Sequence, residues 1–408
     1  MDTGGFYKRS IKERRKIIEE AMGVNYAKTK ETDLEAANIM IENVVATTRL
    51  PVGIATNFVV NGREILIPMA IEETSVVAAA SNAAKIARAS GGFKAEASEP
   101  IMDGQIQFLN ADKETEKTIR EHEKELLSFL DEQSPSMKKR GGGARRIETH
   151  WSGPYLVAHL LYDVRDSMGA NTVNAACEAL SEKLEELTGK KTGLCILTNL
   201  CLHRTVKASA TFPKSVLGEE TINAILKAYD FAEKDVYRCC TNNKGIMNGI
   251  DAVAIATGND WRALEAGAHF YASLSGRHEP LAKYEVNEKG DLVGTIELPL
   301  AVGIVGGSIK LNPVAQANLK VLGVKSAREL AEVMACVGLA NNFAALKALA
   351  TEGINRGHMR LHARTIAIQA GAKESEMDEV AKKLVESKNI KADNARKILE
   401  SIRGKHRK

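Results

Sequence analysis

Between about residues 99 and 205, short β-prone runs alternate with helical ones inside a chain otherwise dominated by helices, and this interruption limits the fold more than any other feature. A strand around Gln105–Leu109 leads into a charged helix from Asp112 to about Asp131, then a turn-rich stretch from Ser134-Pro135-Ser136 to Gly141-Gly142-Gly143. A strand over Tyr155–Val164 follows, then a helix from about Asn171 to Leu187 whose Val173, Ala176, Leu180, Leu184 and Leu187 recur at helical spacing. Strands near Leu194–Leu197 and Thr205–Thr211 complete a strand-helix-strand-helix-strand pattern. It predicts a small α+β domain over residues 99–205, inserted into a larger, mostly helical one made of 1–98 and 206–352.

The larger unit opens with two helices. Ser10-x-x-Glu13 is a capping box for a helix to Met22, which Gly23 ends, and Thr32-x-x-Glu35 opens a second helix toward Val44. Asn61-Gly62, between Phe58-Val59-Val60 and the run from Arg63 to Ile67, predicts a tight hairpin because both turn residues tolerate positive φ. An alanine-rich helix from about Val76 to Arg88, stopped by Gly91-Gly92, has side chains small enough to pack centrally. Further helices are expected at Glu219–Phe231, Trp261–Ser273, Pro313–Leu322 and Ala327–Ala350, with a strand pair at Ala282–Val286 and Asp291–Leu298. The last twenty residues carry seven Lys/Arg against two acids, and residues 353–408 read as a small appended helical segment.

Composition removes several function classes. Lys+Arg 56 against Asp+Glu 52 leaves a net charge of +4, too little to argue for nucleic acid, and no aromatic platform accompanies the basic tail. The apolar run from Leu298 to Ile309 falls short of the ~18–20 residues that a membrane span needs. Met1-Asp2-Thr3-Gly4-Gly5 shows no basic-then-apolar leader pattern, and the 6 cysteines contain no C-x-x-C pair. The expectation is a reduced, cytoplasmic, multidomain protein with no membrane segment and no metal centre.

Four segments stand out chemically. Glu72-Glu73 ends a strand before the alanine-rich helix; Asn242-Asn243-Lys244-Gly245-Ile246-Met247-Asn248-Gly249 is polar and glycine-punctuated; Thr257-Gly258-Asn259-Asp260-Trp261 stands at a helix entrance; His358-Met359-Arg360-Leu361-His362 follows Gly357. Each has an ordinary reading: a cap, a turn, a solvated lysine, or two histidines at i, i+4 without the Glu of a zinc helix. Asp166-Ser167-Met168-Gly169-Ala170-Asn171 joins a strand to a helix, where a glycine lets backbone N–H groups approach a diphosphate. Cys239-Cys240 reads as two buried small side chains.

Taken in order, Glu42-Asn43-Val44-Val45, Glu72-Glu73-x-Ser75, the segments around Asp166, Lys244 and Asp260, Gly303-x-Val305-Gly306-Gly307 and Gly357-His358-Met359-x-Leu361-His362 closely resemble the class II type of 3-hydroxy-3-methylglutaryl-coenzyme A (HMG-CoA) reductase, from about residue 30 to about 370. The resemblance implies an α+β fold: a large HMG-CoA-binding and dimerisation domain, a ferredoxin-like dinucleotide-binding domain inserted in it, and a C-terminal helical flap that closes over the site. It implies reduction of HMG-CoA to mevalonate and coenzyme A by two hydride transfers from NADPH or NADH, without a metal, in at least a homodimer with shared active sites. The implied catalytic residues are Glu73, Lys244, Asp260 and His358.

Each residue type answers a charge on that path. An ammonium at Lys244, expected to be buried, stabilises an oxyanion, and Asp260 balances it. Glu73 near a second carboxylate can keep a proton to donate, and an imidazolium at His358 can protonate the departing thiolate. By the same resemblance Ser75, Arg238, Thr241, Asn248 and His362 contact the substrate, with Arg238 pairing to its free carboxylate. Dinucleotide contacts fall on Asp166, Met168, Gly169, Asn171, Asn199 and Ser134.

Two departures from the family pattern are small: Val45-Ala46 stands for Ile-Gly, and Ser167 for Ala. A third bears on the cofactor. Ser134 occupies the place of an acid that would repel a 2′-phosphate, and Lys138, Lys139 and Arg140 follow, so NADPH should serve at least as well as NADH. The alternatives are the same reaction run oxidatively on mevalonate, and a non-catalytic coenzyme A or dinucleotide binder.

Overall fold

The computed structural model describes residues 5–29, 34–351, 353, 363–387 and 389–405. Thr32, His358 and His362 lie outside the described residues. Helix α1 (Ile11–Met22) starts at a reciprocal capping box between Ser10 and Glu13 and ends at Gly23, at φ 66°. Helix α2 (Leu34–Met40) stops short of Val44, and Asn43 adopts φ 57°, after which the chain is irregular as far as Pro51.

Two sheets organise the chain. In the first, β1 (Val52–Val60) and β2 (Arg63–Ala70) pair around Asn61 and Gly62, at φ 49° and 80°. Helix α3 (Val76–Arg88) then leads to β3 (Phe93–Ala97), a strand the sequence pattern does not disclose. Much later come β8 (Thr205–Phe212), β9 (Ala282–Val286) and β10 (Leu292–Pro299), giving the order β2-β1-β3-β8-β10-β9. The expected fifth strand of the inserted unit, Thr205–Thr211, therefore belongs to the large sheet, where Ala97 pairs with Val206.

The second sheet lies between β3 and β8 in sequence. It contains β4 (Ile101–Phe108), β5 (Gly143–Ser152), β6 (Tyr155–Asp163) and β7 (Thr192–Leu197), in the order β5-β6-β4-β7. Helices α4 (Lys113–Glu121), α5 (Glu123–Gln133) and the short α6 (Pro135–Lys139) precede β5, and α7 (Ala170–Thr188) precedes β7. The result is a split βαβ arrangement, the ferredoxin-like topology. The single charged helix expected here is broken at His122, and the turn-rich stretch contains α6. Strand β5 was hidden by its edge position, which leaves Arg145, Arg146 and His150 to Ser152 solvated or half-solvated and breaks the apolar alternation.

Helices α8 (Lys214–Leu217), α9 (Glu219–Lys234), α10 (Val236–Ala256), α11 (Trp261–Tyr271), α12 (Pro313–Leu322) and α13 (Ala327–Ala350) complete the larger unit. The innermost helix is α13, against α3, α9, α10, β3, β8 and β10. Among the described residues α13 alone is long and apolar enough to cross a membrane by length and composition. Here those properties follow from burial, since a helix enclosed on all sides has apolar side chains on all sides. Helices α14 (residues 363–369), α15 (Glu374–Glu386) and α16 (Ala392–Lys405) hold a core of their own, with Ala367, Val380, Leu384, Leu399 and Ile402 inside.

Candidate active site

The segment Asn242–Gly249, whose ordinary reading is a turn, is the middle of α10. Its polar residues have tertiary partners. Asn242 accepts from Asn342 Nδ2 at 2.9 Å, while Asn243 donates to Glu279 O at 2.9 Å and accepts from Leu281 N at 3.0 Å. Gly249 permits close helix packing, for a Cβ there would lie 2.5 Å from Asn341 Nδ2 on α13. With the amides spent inward, Arg238, Thr241, Lys244 and Asn248 fall along one face of α10, at spacings of three and four.

Lys244 Nζ lies 3.0 Å from Glu73 Oε2, a contact spanning 171 residues of sequence. Both side chains are open to solvent, 56% for Lys244 and 42% for Glu73. The expected burial of the amine is thus corrected: in the single chain Lys244 stands on an open face. Asp260 is engaged elsewhere. Its Oδ1 caps α11 by accepting from Arg262 N at 3.1 Å and Ala263 N at 3.2 Å, and lies 3.4 Å from Arg262 Nη2. The structure therefore joins Glu73 to Lys244 directly and turns Asp260 toward its own helix.

Ser75 sits in a strained turn. It adopts φ 77° at the entrance of α3, and its buried hydroxyl has no hydrogen-bond partner among the described residues. Arg238 is half-buried with its guanidinium outside any ion pair among the described residues, and burial lowers its pKa. Thr241 Oγ1 donates back to Tyr237 O at 3.4 Å, and Asn248 is half-buried on the same helix. Cys239 is buried but Cys240 is exposed, which corrects the expectation that both are buried.

Four of the dinucleotide candidates, Asp166, Met168, Gly169 and Asn171, lie together in the loop before α7 and its first turn. Gly169, at φ 102°, starts α7 without a side-chain cap, so the first N–H groups of a 19-residue helix remain available to an anion. A Cβ at Gly169 would sit 2.5 Å from Val164 Cγ1, so the tight turn requires glycine. This cradle fits a diphosphate. Asp166 fastens the loop: its Oδ1 accepts from Ala327 N at 2.9 Å, and its carbonyl accepts from Ile304 N at 2.9 Å. Arg204 donates to Met168 O at 3.0 Å, to Ser167 O at 3.1 Å and to Val302 O. Asn171 is exposed at the helix start, and the backbone oxygen of Asn199 lies where a Cβ on Gly267 of α11 would come within 2.6 Å. Ser134 opens α6, whose last turn carries Lys138 and Lys139. Nearby, Arg145 and Arg165 both reach buried Asp163, at 2.8 and 3.0 Å, and both donate to Gly141 O.

A separate groove of about 720 Å³ lies over β3, β8, β9 and β10, lined by Lys94, Glu96, Lys207, Lys283 and Glu297. No residue of either candidate site lines it. Among the described residues no cluster of His, Cys, Asp and Glu suits a metal ion.

Comparison with known proteins settles the family. The profile for hydroxymethylglutaryl-coenzyme A reductase matches residues 10–363. The chain belongs to the HMG-CoA reductase family. It is 50% identical to the 3-hydroxy-3-methylglutaryl-coenzyme A reductase of Archaeoglobus fulgidus, over 98% of this chain and 94% of that protein. A probable reductase of Borreliella burgdorferi is 36% identical over 98% of this chain and 95% of its own. Among solved structures, the class II reductase of Streptococcus pneumoniae bound to NADPH in open conformations is 40% identical, with a TM-score of 0.80 over 97% of this chain and 100% of that one. A second structure from the same organism gives a TM-score of 0.83 at 39% identity, over 98% of this chain and 100% of that one. Family membership makes the protein an NAD(P)H-dependent oxidoreductase acting on HMG-CoA, and the α+β architecture expected from sequence, helices and sheets mixed, is the one those structures share.

Sequence reasoning passed over Asp251, Glu265, His269 and Arg204. A residue at Lys244 plus seven, and a Glu–His pair at i, i+4 on α11, were the available signals.

Proposed function

We propose that the protein works in the reductive direction, converting the HMG-CoA thioester to the primary alcohol of mevalonate and releasing coenzyme A. The reading rests on the 3.0 Å contact between Lys244 and Glu73, a cation and a carboxyl group brought together from opposite halves of the larger unit. The bound reduced nicotinamide dinucleotide supplies the hydride in each of two rounds.

Lys244 holds the carbonyl oxygen as negative charge builds on it, an ammonium being worth most where water is excluded. Glu73 carries the proton that this oxygen receives when the alcohol forms. Asp260 stabilises the lysine after leaving Arg262, and His358 protonates the departing thiolate. Arg238 pairs with the free carboxylate of the substrate, while Ser75, Thr241, Asn248 and His362 hold its polar groups. The residues that hold the dinucleotide are Gly169 and Asn171 at the start of α7, with Asp166, Met168, Asn199 and Ser134 around them. Lys138, Lys139 and Arg140 favour NADPH over NADH through the 2′-phosphate.

Residues 1–98 with 206–352 form the substrate domain, 99–205 the dinucleotide domain, and 353–408 the closing flap. The exposure of Lys244 is relieved by that flap and by a second subunit, so a cytoplasmic homodimer with shared sites is the working unit. Exposed Ile39, Ile41 and Val45 beside Glu42-Asn43 supply apolar surface for it. Incubating the protein with HMG-CoA and either reduced dinucleotide, then measuring dinucleotide oxidation and mevalonate, tests the reading. Stoichiometric mevalonate, made at least as fast with NADPH as with NADH at matched concentrations, is expected. Dinucleotide oxidation without mevalonate removes the proposal.

A further inference from the structure

The sequence motif Gly303-x-Val305-Gly306-Gly307 has no part in the roles above, yet its first glycine touches both candidate sites. Gly303 is buried in the irregular stretch after β10, and its backbone is paired by the side chain of Asn259. The Gly303 N–H donates to Asn259 Oδ1 at 2.7 Å, and the Gly303 carbonyl accepts from Asn259 Nδ2 at 3.0 Å. The carboxamide serves here as a neighbouring peptide group would, one donor beside one acceptor, and satisfies a buried backbone 44 residues away. A Cβ on Gly303 would come within 2.6 Å of Met168 N and 2.9 Å of Ser167 C, so the two backbones meet only because this residue has no side chain. Ile304 N donates to Asp166 O at 2.9 Å, and Val302 O accepts from Arg204, which also holds Ser167 O and Met168 O.

No local task accounts for Asn259. The cap of α11 is the next residue, Asp260, whose own carboxylate accepts from Arg262 N and Ala263 N. Apart from Gly303, the Asn259 side chain meets only Thr257 among the described residues, donating to its Oγ1 at 3.0 Å. Its backbone is fixed as well, since Asn259 N donates to Ala254 O at 2.8 Å, near the end of the helix that carries Lys244. Asn259 therefore stands where α10 ends and Asp260 opens α11, and one glycine separates it from the loop that leads into Gly169. Two hydrogen bonds fix the plane of the carboxamide, so this link has little slack.

Hydride transfer is sensitive to such spacing, because a displacement of about 1 Å can cost on the order of 10²-fold in rate. We propose that Asn259 is a positioning residue for the reduction: by pairing with the backbone of Gly303 it holds the Ser167–Met168 turn, and the dinucleotide received there, at a fixed distance from Asp260 and Lys244. The inference rests on the roles given above to Asp260, Lys244 and the loop before α7.

The test compares wild type with Asn259→Leu, which keeps the volume and loses both bonds, and with Asn259→Gln, which keeps the carboxamide on a longer stem. Each is assayed with HMG-CoA and NADPH well below its own melting temperature. Hydrogen–deuterium exchange is followed by mass spectrometry in peptides covering Asp166–Asn171. Asn259→Leu should lower kcat about tenfold with both KM values within about threefold, because Arg204 and the Asp166 contact to Ala327 still build the turn. Exchange in the turn should rise several-fold, and Asn259→Gln should recover part of both. A purely structural role would lower the melting temperature and leave kcat and the turn unmoved. Folded Asn259→Leu protein with wild-type kcat, with unchanged exchange at the turn, or with its loss confined to KM for the dinucleotide overturns the proposal. If wild type makes no mevalonate, the functional reading fails by itself, and the exchange comparison still decides whether Asn259 fixes the turn. If Asn259→Leu does not fold, Asn259→Asp, which keeps only the acceptor for Gly303 N–H, carries the same measurements, with changes in the same direction expected and an unmoved kcat or turn again overturning the idea.

Discussion

Arg204 and Lys244 are two cations held in opposite ways. Arg204 is almost fully buried and donates to three backbone carbonyls, two in the Ser167–Met168 loop and one at Val302. Lys244 is more than half exposed and has the Glu73 carboxylate at 3.0 Å. The first arrangement locks the loop before α7 onto the larger unit at a cost in desolvation that the carbonyls offset. The second leaves an amine free to exchange partners as charge moves. The molecule is tied down at the loop before α7, where the proposed dinucleotide contacts fall, and open at the Lys244–Glu73 pair, where the proposed proton transfers fall.

Breaking the loose side should cost the most activity and the least stability. Lys244→Ala is expected to lower kcat by about 10²–10³, while its melting temperature stays within a few degrees of wild type. Near-normal turnover would remove Lys244 from the chemistry and with it the contrast. Breaking the rigid side should do the reverse. Arg204→Met leaves the carbonyls of Ser167, Met168 and Val302 without their donor, a loss of about 2–4 kcal/mol in denaturant unfolding. An unchanged unfolding midpoint would mean that the seam relaxes without it.

A milder substitution at the same seam sharpens the comparison. Gly169→Ala puts a Cβ within 2.5 Å of Val164 Cγ1 at φ 102°, so strain of about 1–3 kcal/mol is expected. It should raise KM for the dinucleotide several-fold and leave KM for HMG-CoA near wild type. Equal changes in both would show that the turn serves the whole fold rather than the dinucleotide. A pH-dependent effect concerns Asp251, whose pKa burial and Glu265 raise to about 8. The folded chain keeps a proton there that an unfolded aspartate releases near pH 4. That contribution to stability is complete below about pH 4 and is lost as pH rises through about 8. Asp251→Asn never ionises, so its melting temperature relative to wild type should climb by a few degrees between pH 5 and pH 9. A constant difference would place the proton elsewhere.

Local signals in the sequence were reliable where one or two residues decide the geometry. The Ser10–Glu13 box, Gly23 and the Asn61-Gly62 turn all act within a few residues of themselves, and each stands in the structure as expected. What could not be read was set by distant partners. Asn242, Asn243, Gly245 and Gly249 suggest a turn, yet they sit in α10 because Asn342, Glu279, Leu281 and Asn341 meet them across the fold. Strand β3 was obscured because Lys94 and Glu96 lie on its exposed face, leaving little apolar run to see. At the site, the ordered motifs led to Lys244 and Glu73 through family resemblance. The carboxylate pair of Asp251 and Glu265 carries no motif, since two helices must cross before it exists.

The pairing of Ala97 with Val206 has a consequence for how such a chain can be altered. The whole ferredoxin-like segment departs and returns across a single rung of one antiparallel ladder. Without it, the two neighbouring strands would be joined by an ordinary reverse turn. The insert is therefore a module set into a continuous ladder, and exchanging it with another of similar span would ask the larger sheet for no change of register, only for a new partner to the seam at Arg204 and Asp166.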